Sequence, residues 1–445
     1  MAIAVVATYL AFDDTDSPEG MCTTYLAALV LEELRDYDLI GLPRLVRLNP
    51  NIPWKTRGNA AICLPLGIAA GEGKKCGFLN GEDLKCYSSG RPADAREILA
   101  RASEVLEGTA EFDCEQTNPG VVAINRKLPQ TLYWETVRDI VPLKRVEKVL
   151  AASGAVWRKY KKGRGIIGAS AAISWRPRDR TWEVIAYRSR ERIGTPRRID
   201  PKSVIAMDKA TKKTFNNYDY ENGHVAITPG SPCPILFGIR GDSPDELLKA
   251  RKMIKGEPQD RWLMFMTNQA TEDHIVSRRI GGLKPMMSAR VRAKVAARPR
   301  TITGGHVIVP VSDGDEIDAA FYEPSRSLRD VARGLLPGDE VTIYGSVRAV
   351  PRSLNVEKMG ITKLAEDLQK VSNPVCKVCG KSMGSMGTDQ GYRCKKCGSK
   401  TGAERAKWKQ VPRSIRSGWY EPPVASRRHL HKPIRRMSRV DIDKI

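Results

Sequence analysis

The 445-residue sequence has no run of about 18 apolar residues, the length that a membrane-spanning helix needs. Its opening stretch, MAIAVVATYLAFDD, has no basic segment ahead of the apolar one, so a secretory signal is not expected and a cytoplasmic location is. That stretch reads instead, through Val5, Val6 and their neighbours, as a buried first strand. Cys22, Cys63, Cys76, Cys86, Cys114 and Cys233 are scattered without disulfide spacing and are expected as reduced thiols. The five histidines show no metal-ligand spacing, and no Ser/His/Asp arrangement can be built from them. Neither a Walker A pattern nor a kinase His-Arg-Asp pattern occurs, so any nucleoside triphosphate is held by an uncommon fold. No internal repeat is found.

Acidic residues are outnumbered by basic ones. Lys and Arg number 74 against 51 Asp and Glu, a formal charge of +23. Such an excess suggests a polyanionic partner, most often nucleic acid. The basic residues are dense in the tail, from Lys407 to Arg439, where Trp408, Trp419 and Tyr420 interrupt them. Charge with aromatics suits phosphate contact and base stacking; a solvated tail has the same composition.

The first 145 residues mix strand and helix patterns. AVVATYLAF reads as a strand and CTTYLAALVLEELRD as a helix. GEGKKCGFLNGEDLKCYSSGRP reads as a surface loop or an insertion. Between 146 and 275, TWEVIAYR, HVAITPG and RWLMFMTN read as strands, and SPDELLKARKMIKG as a helix entered through a Ser-Pro cap. From 285 to 368 come five strand candidates with one short helix between the third and fourth. That is the order of an OB-fold barrel, which binds oligonucleotides.

Three motifs carry chemistry. CKVCGKSMGSMGTDQGYRCKKC pairs Cys376 and Cys379 with Cys394 and Cys397; two CxxC knuckles one hairpin apart supply four thiolates for a structural zinc. An iron–sulfur centre or a redox dithiol pair are the alternatives. KKGRGIIGASAA carries Gly163, Gly165 and Gly168 in GxGxxG spacing without the strand or the acidic partner of a dinucleotide fold. It reads either as a basic turn that cradles phosphates, with Lys162 and Arg164, or as glycines that permit close packing. FDDTDSPEGMCTTY ends a strand in Asp13, Asp14 and Asp16. If the strand continues, Asp14 and Asp16 share a face. Carboxylates this close repel one another, and a divalent cation would relieve them; a capped turn is the other reading.

The blocks DDTDSPEGMCTTYLA, RLNPNIPWKTRGNA, TNPG, KKGRGIIGA, AYR with ERIGTPR, SPCPILFGIRG, CKVCG with YRCKKC, and SRRHLHKPIRRM follow in one order. Together they resemble the archaeal tRNA-Ile 2-agmatinylcytidine synthetase family, TiaS, along essentially the whole chain. The stretch 71–92 matches no block.

The resemblance implies an α+β multidomain chain: an α/β kinase-like domain (1–145), a ferredoxin-like domain (146–275), a five-stranded OB-fold (285–368), a zinc ribbon (372–402) and a basic C-terminal segment (403–445). It implies an ATP-dependent ligase that joins agmatine to C2 of the wobble cytidine of tRNA-Ile. The C2 oxygen is phosphorylated, AMP and pyrophosphate also form, and the amine then displaces the activated oxygen.

By that resemblance Asp13, Asp14 and Asp16 hold magnesium on ATP. Thr23 matches a threonine that is phosphorylated in the family. Arg57, Gly58 and Asn59, with Lys162, Gly163, Arg164, Gly165 and Gly168, are chosen for ATP contact. Asp208 and Asp219 are candidates for agmatine on charge alone. The tRNA is expected to be gripped at its anticodon loop and acceptor regions by the OB-fold, the ribbon and the tail. A monomer with structural zinc and no membrane partner is expected. A non-catalytic nucleic-acid binder and an RNA kinase that stops at phosphorylation are the competing readings.

Overall fold

The computed structural model describes residues 7–387 and 390–438; Val5, Val6 and Arg439, named above, lie outside them. A single mixed sheet runs through the first 267 residues. Its path is Val156–Lys159, Gly120–Ile124, Thr8–Asp13, Ala60–Leu79, Arg44–Arg47, Arg261–Thr267, Thr181–Tyr187, Ile235–Gly241 and Thr214–Phe215. The strand Thr8–Asp13 is buried at every position and lies between two antiparallel neighbours. This explains its unbroken apolar pattern, since a central strand covered on both faces has no solvent side.

Helices Thr23–Glu33 and Ala95–Glu107 cover one face. Helices Gln130–Arg138, Leu143–Ser153 and Gly165–Ser174 cover the other. The strand Arg261–Thr267 pairs in parallel with Arg44–Arg47 and antiparallel with Thr181–Tyr187. The kinase-like and ferredoxin-like parts therefore share one sheet and the core on one of its faces.

The expected loop at 71–92 is a correction. Strands Ala60–Leu79 and Glu82–Arg91 form a long antiparallel arm through it, and Trp262 and Leu263 pair with Phe78 and Gly77. Its glycines misled the reading, yet they serve close packing. A Cβ on Gly77 would stand 2.9 Å from a Leu263 methyl, and one on Gly73 would stand 2.8 Å from the Tyr87 ring. HVAITPG is a second correction: only His224–Val225 pairs as a strand, and the rest is turn.

The OB-fold expectation holds. Ser288–Val295, His306–Ser312, Glu316–Phe321, Glu340–Arg348 and Ser353–Lys363 form the barrel, with helix Ser327–Arg333 between the third and fourth strands. Lys294 and Val295 pair with Ser312 and Val311 and close it.

The tail is not a solvated segment. Lys407–Val411 pairs with Asp367–Ser372, and Gly418–Tyr420 adds to the barrel strand Ser353–Lys363. Residues 421–437 then form a strap between barrel and sheet. Ala270 N–H donates to the His429 carbonyl and Glu272 N–H to that of Leu430, at 2.8 and 2.9 Å. Arg428 reaches Asn51 at 2.6 Å and Arg436 reaches Asp179 at 3.1 Å. Beside the strap, the fully buried Lys358 of the barrel joins Glu272. Many tail cations expected to meet RNA are thus occupied inside the protein.

Candidate active site

The strand Thr8–Asp13 ends at Asp13, and the backbone turns at once. Asp14 has φ 61°, a left-handed conformation tolerated by few residues other than glycine, Asn and Asp. The strand does not continue, so Asp14 and Asp16 do not share a strand face. Asp13 is nearly buried, and its Oδ1 accepts the Asp14 N–H at 2.7 Å. Asp14 Oδ2 accepts the Asn118 N–H at 3.1 Å. Asp16 has a cationic partner: Arg57 donates to its Oδ2 at 2.9 and 2.5 Å, and the Thr56 hydroxyl donates to its Oδ1 at 2.7 Å.

These partners separate the three carboxylates. Burial, then the Asp14 charge, pushes the Asp13 pKa well above the carboxylate range. Burial raises Asp14 to about 6; the Asn118 N–H opposes this, and the Asp16 charge adds to it. Asp13 and Asp14 form no ion pair among the described residues. A hard divalent cation takes carboxylate oxygens and would relieve their crowding, so the pair fits magnesium, whereas Asp16 is already held by Arg57.

Most of the expected residues converge. Asp13, Asp14, Asp16, Thr23, Arg57, Gly58, Asn59, Arg164 and Gly168 line one cavity of about 550 Å³, ample for a nucleotide. Thr23 opens helix Thr23–Glu33 and accepts a hydrogen bond from Thr15 at 3.2 Å. Arg164 lies 5.2 Å over the Trp54 ring at the cavity wall.

Two glycines serve packing. A Cβ on Gly168 would stand 1.8 Å from Asp13 Oδ2, and one on Gly165 would stand 2.3 Å from the Gly120 nitrogen. The small-residue helix therefore presses directly on the end of the carboxylate strand. Gly163 has φ +69° and makes the turn before it. Lys162 pairs with Glu115 at 3.0 Å outside the cavity wall.

Asp208 and Asp219 lie apart from this group. Neither lines the cavity. Asp208 accepts from Asn217 and Tyr220 at 2.9 and 2.8 Å. Asp219 is buried and accepts from the Glu221, Asn222 and Ala425 backbones and the Asn222 side chain. Both carboxylates are occupied by neutral donors of the protein itself.

Sequence reasoning missed the far wall. Arg47 comes from the strand Arg44–Arg47, Glu183 and Arg240 from Thr181–Tyr187 and Ile235–Gly241 of the same sheet, Ser231 and Cys233 from SPCPILFGIRG, and His429 from the strap. Arg57 spans the cavity, with Asp16 on one side and Ser231 on the other at 3.0 Å. The blocks SPCP and SRRHLHKP were visible signals, but their spacing gave no hint that they face the aspartates.

The four ribbon cysteines also converge. Their sulfurs all lie within 4.8 Å of one another, with Cys376–Cys397 at 3.5 Å and Cys379–Cys394 at 3.4 Å. Zinc–thiolate bonds of about 2.3 Å in a tetrahedron place sulfurs about 3.8 Å apart, so the cluster fits zinc. Gly380 and Gly398, at φ +67° and +75°, close the two knuckles.

Known proteins match the chain along nearly its whole length. Three family descriptions match: the TiaS TCKD domain over residues 9–162, the TiaS FLD domain over 163–274 and the TiaS C-terminal zinc ribbon domain over 373–415. The isoleucine-tRNA 2-agmatinylcytidine synthetase TiaS of Methanocaldococcus jannaschii is 40% identical over 440 residues, covering 97% of this chain and 99% of the relative. The chain belongs to the TiaS family. The Archaeoglobus fulgidus TiaS is 39% identical over 438 residues, with 97% of each chain covered. A solved complex of TiaS with an isoleucine tRNA and ATP matches with a TM-score of 0.82 at 37% identity, covering 97% of this chain and 98% of that one. A complex of TiaS with the same tRNA, AMPCPP and agmatine matches at 0.81 and 34%, with the same coverage.

The carboxylate crowding gives a stability prediction for the metal-free chain. Asp14 titrates near 6 when folded and near 4 when unfolded. Its contribution to stability is therefore complete below about pH 4 and is lost as pH rises through 6. Asp14→Asn is expected to raise metal-free stability by about 1–2 kcal/mol at pH 7.5 and to leave it unchanged at pH 4. Urea denaturation checks this; an unchanged midpoint at pH 7.5 contradicts the crowding.

Proposed function

We propose that the chain uses ATP to join agmatine to C2 of the wobble cytidine of tRNA-Ile, so that the tRNA reads AUA. The observation that carries this is the convergence of the family's acidic, threonine and glycine blocks on one cavity. The C2 oxygen of cytosine is a poor leaving group until it is phosphorylated. Phosphoryl transfer needs alignment and charge neutralisation more than covalent help. Asp13 and Asp14 are suited to hold magnesium, which supplies that neutralisation when bound. Asp16 acts through Arg57, which it fixes at the cavity wall.

Arg57, Arg164 and the backbone at Gly58, Asn59 and Gly168 offer donors to the ATP phosphates, while Lys162, Gly163 and Gly165 shape the turn that places Arg164. Thr23, at the start of a helix on the cavity wall, is the phosphorylation candidate. Trp54 with Arg164 offers a stacking platform for a base. Agmatine's guanidinium needs a carboxylate without a counter-ion. Asp139 lines the cavity and forms no ion pair among the described residues, so it suits that role better than Asp208 or Asp219. The OB barrel and the ribbon offer the tRNA surfaces. A non-catalytic RNA binder would need the barrel and ribbon alone and leaves the cavity without a use.

Incubating tRNA-Ile with the protein, ATP, magnesium and agmatine is expected to give a wobble cytidine heavier by agmatine less water, read by nucleoside mass spectrometry. A phosphorylated cytidine that never acquires the amine would favour the RNA kinase reading; unmodified tRNA would leave only the binder. Cys394→Ser is expected to lower bound zinc from one per chain toward none and to weaken tRNA binding at least tenfold. Unchanged metal content in elemental analysis contradicts the ribbon site.

A further inference from the structure

We infer that His429, carried into the cavity by the C-terminal strap, is the base that removes the proton from the attacking amine. The inference rests on the proposed agmatine transfer. The strap holds His429 by its backbone, whose carbonyl accepts the Ala270 N–H at 2.8 Å, which leaves the side chain free of structural duty. Neither ring nitrogen has a hydrogen-bond partner among the described residues, and the ring is open to the cavity. It stands over the bare α-carbon of Gly58. A Cβ there would meet His429 Nε2 at 3.2 Å and Arg47 Nη1 at 2.9 Å, so glycine keeps this corner open.

The charges around the ring fit the role. Protein packed around the corner, together with the Arg47 and Arg240 guanidiniums, holds the His429 pKa well below the usual histidine range. Arg47 comes from the strand Arg44–Arg47 and Arg240 from Ile235–Gly241; the Glu183 carboxylate behind them is tied to Arg240 at 3.1 Å. The ring is therefore neutral at pH 7 and able to accept a proton. The same two guanidiniums disfavour an ammonium, so an amine reaching this corner arrives as its free base.

A second histidine of the wall, His224, is carried by the short strand His224–Val225 and not by the strap; the remaining titratable groups are otherwise engaged. Asp16 is paired with Arg57 and Glu183 with Arg240. Asp13 and Asp14 are the pair assigned to the phosphates. Burial raises the Cys22 thiol to about 11, so it does not ionise at neutral pH. Lys55 donates to the Ile52 carbonyl at 3.1 Å.

In the step, the agmatine nitrogen forms a bond to C2 of the phosphorylated cytidine. The C2–O bond breaks, and phosphate leaves with the electron pair. The nitrogen, positively charged on attack, gives its extra proton to His429 Nε2. A weak base suffices, because that nitrogen is far more acidic than a free ammonium, and a weakly basic imidazole releases the proton readily afterwards.

Single-turnover reactions, with phosphorylated cytidine and agmatine adduct both read by mass spectrometry, test the assignment. His429→Ala and the amide variant His429→Gln are expected to accumulate phosphorylated cytidine and to form adduct about 10²-fold more slowly. Added imidazole should restore adduct formation in His429→Ala at least tenfold, in proportion to the free base present. His429→Gln covers the case in which the alanine variant does not fold. A wild-type rate of adduct formation in either variant overturns the assignment, as does a slow alanine variant that binds tRNA normally and ignores imidazole. If the wild type itself makes no adduct, the reading beneath fails instead.

Discussion

Two carboxylates, Asp13 and Asp14, meet at the end of a buried strand and form no ion pair among the described residues; Arg164 and Lys161 act on Asp14 only as nearby charges. Folding makes this costly, since burial and mutual repulsion both act against their ionised forms. The surrounding structure keeps the crowding rather than relieving it. Arg57 is bound to Asp16 and reaches across to Ser231. Helix Gly165–Ser174 packs so tightly against the strand end that only a glycine fits at 168 beside Asp13. The crowded pair fits the divalent cation proposed above, and the other walls of the cavity face the same space.

The cavity is an assembly of distant parts. The sheet brings Arg47 near Glu183 and Arg240, because the strand Arg261–Thr267 lies between Arg44–Arg47 and Thr181–Tyr187 and pairs with both. The strap then closes the far side with Arg427 and His429. Its hold on Asn51 and Asp179, and on Glu272 beside the barrel's Lys358, ties the OB barrel to the reaction cavity. Barrel and cavity thus share a mechanical connection, which suits an enzyme that must bring one base of a large RNA to a fixed position.

The local elements were legible in the sequence where a single pattern dominated. The five barrel strands, the Ser-Pro cap at Ser243 and the CxxC pairs appear where spacing placed them. The arm through Gly71–Pro92 was not legible, because its glycines look like loop residues until the Leu263 and Tyr87 side chains that require them are seen. The tail looked like a free cationic segment for the same kind of reason: charge shows in a sequence, but the partners Asp179, Asp242 and Glu357 lie far from it along the chain. In the site, the acidic motif and the glycine block were visible as chemistry. Which carboxylate pairs with Arg57 depended on a contact 41 residues apart, and the place of His429 on the same wall on contacts across hundreds of residues.

The central claim is that Asp13 and Asp14 bind the phosphate-bridging cation while Asp16 serves Arg57. Manganese, with magnesium's preference for oxygen ligands, reports on this directly through its electron paramagnetic resonance in the presence of a non-hydrolysable ATP analogue. The account predicts bound manganese in the wild type, at least tenfold weaker binding in Asp13→Asn and Asp14→Asn, and binding close to wild type in Asp16→Asn. Equal loss in all three variants, or loss in Asp16→Asn alone, would contradict it.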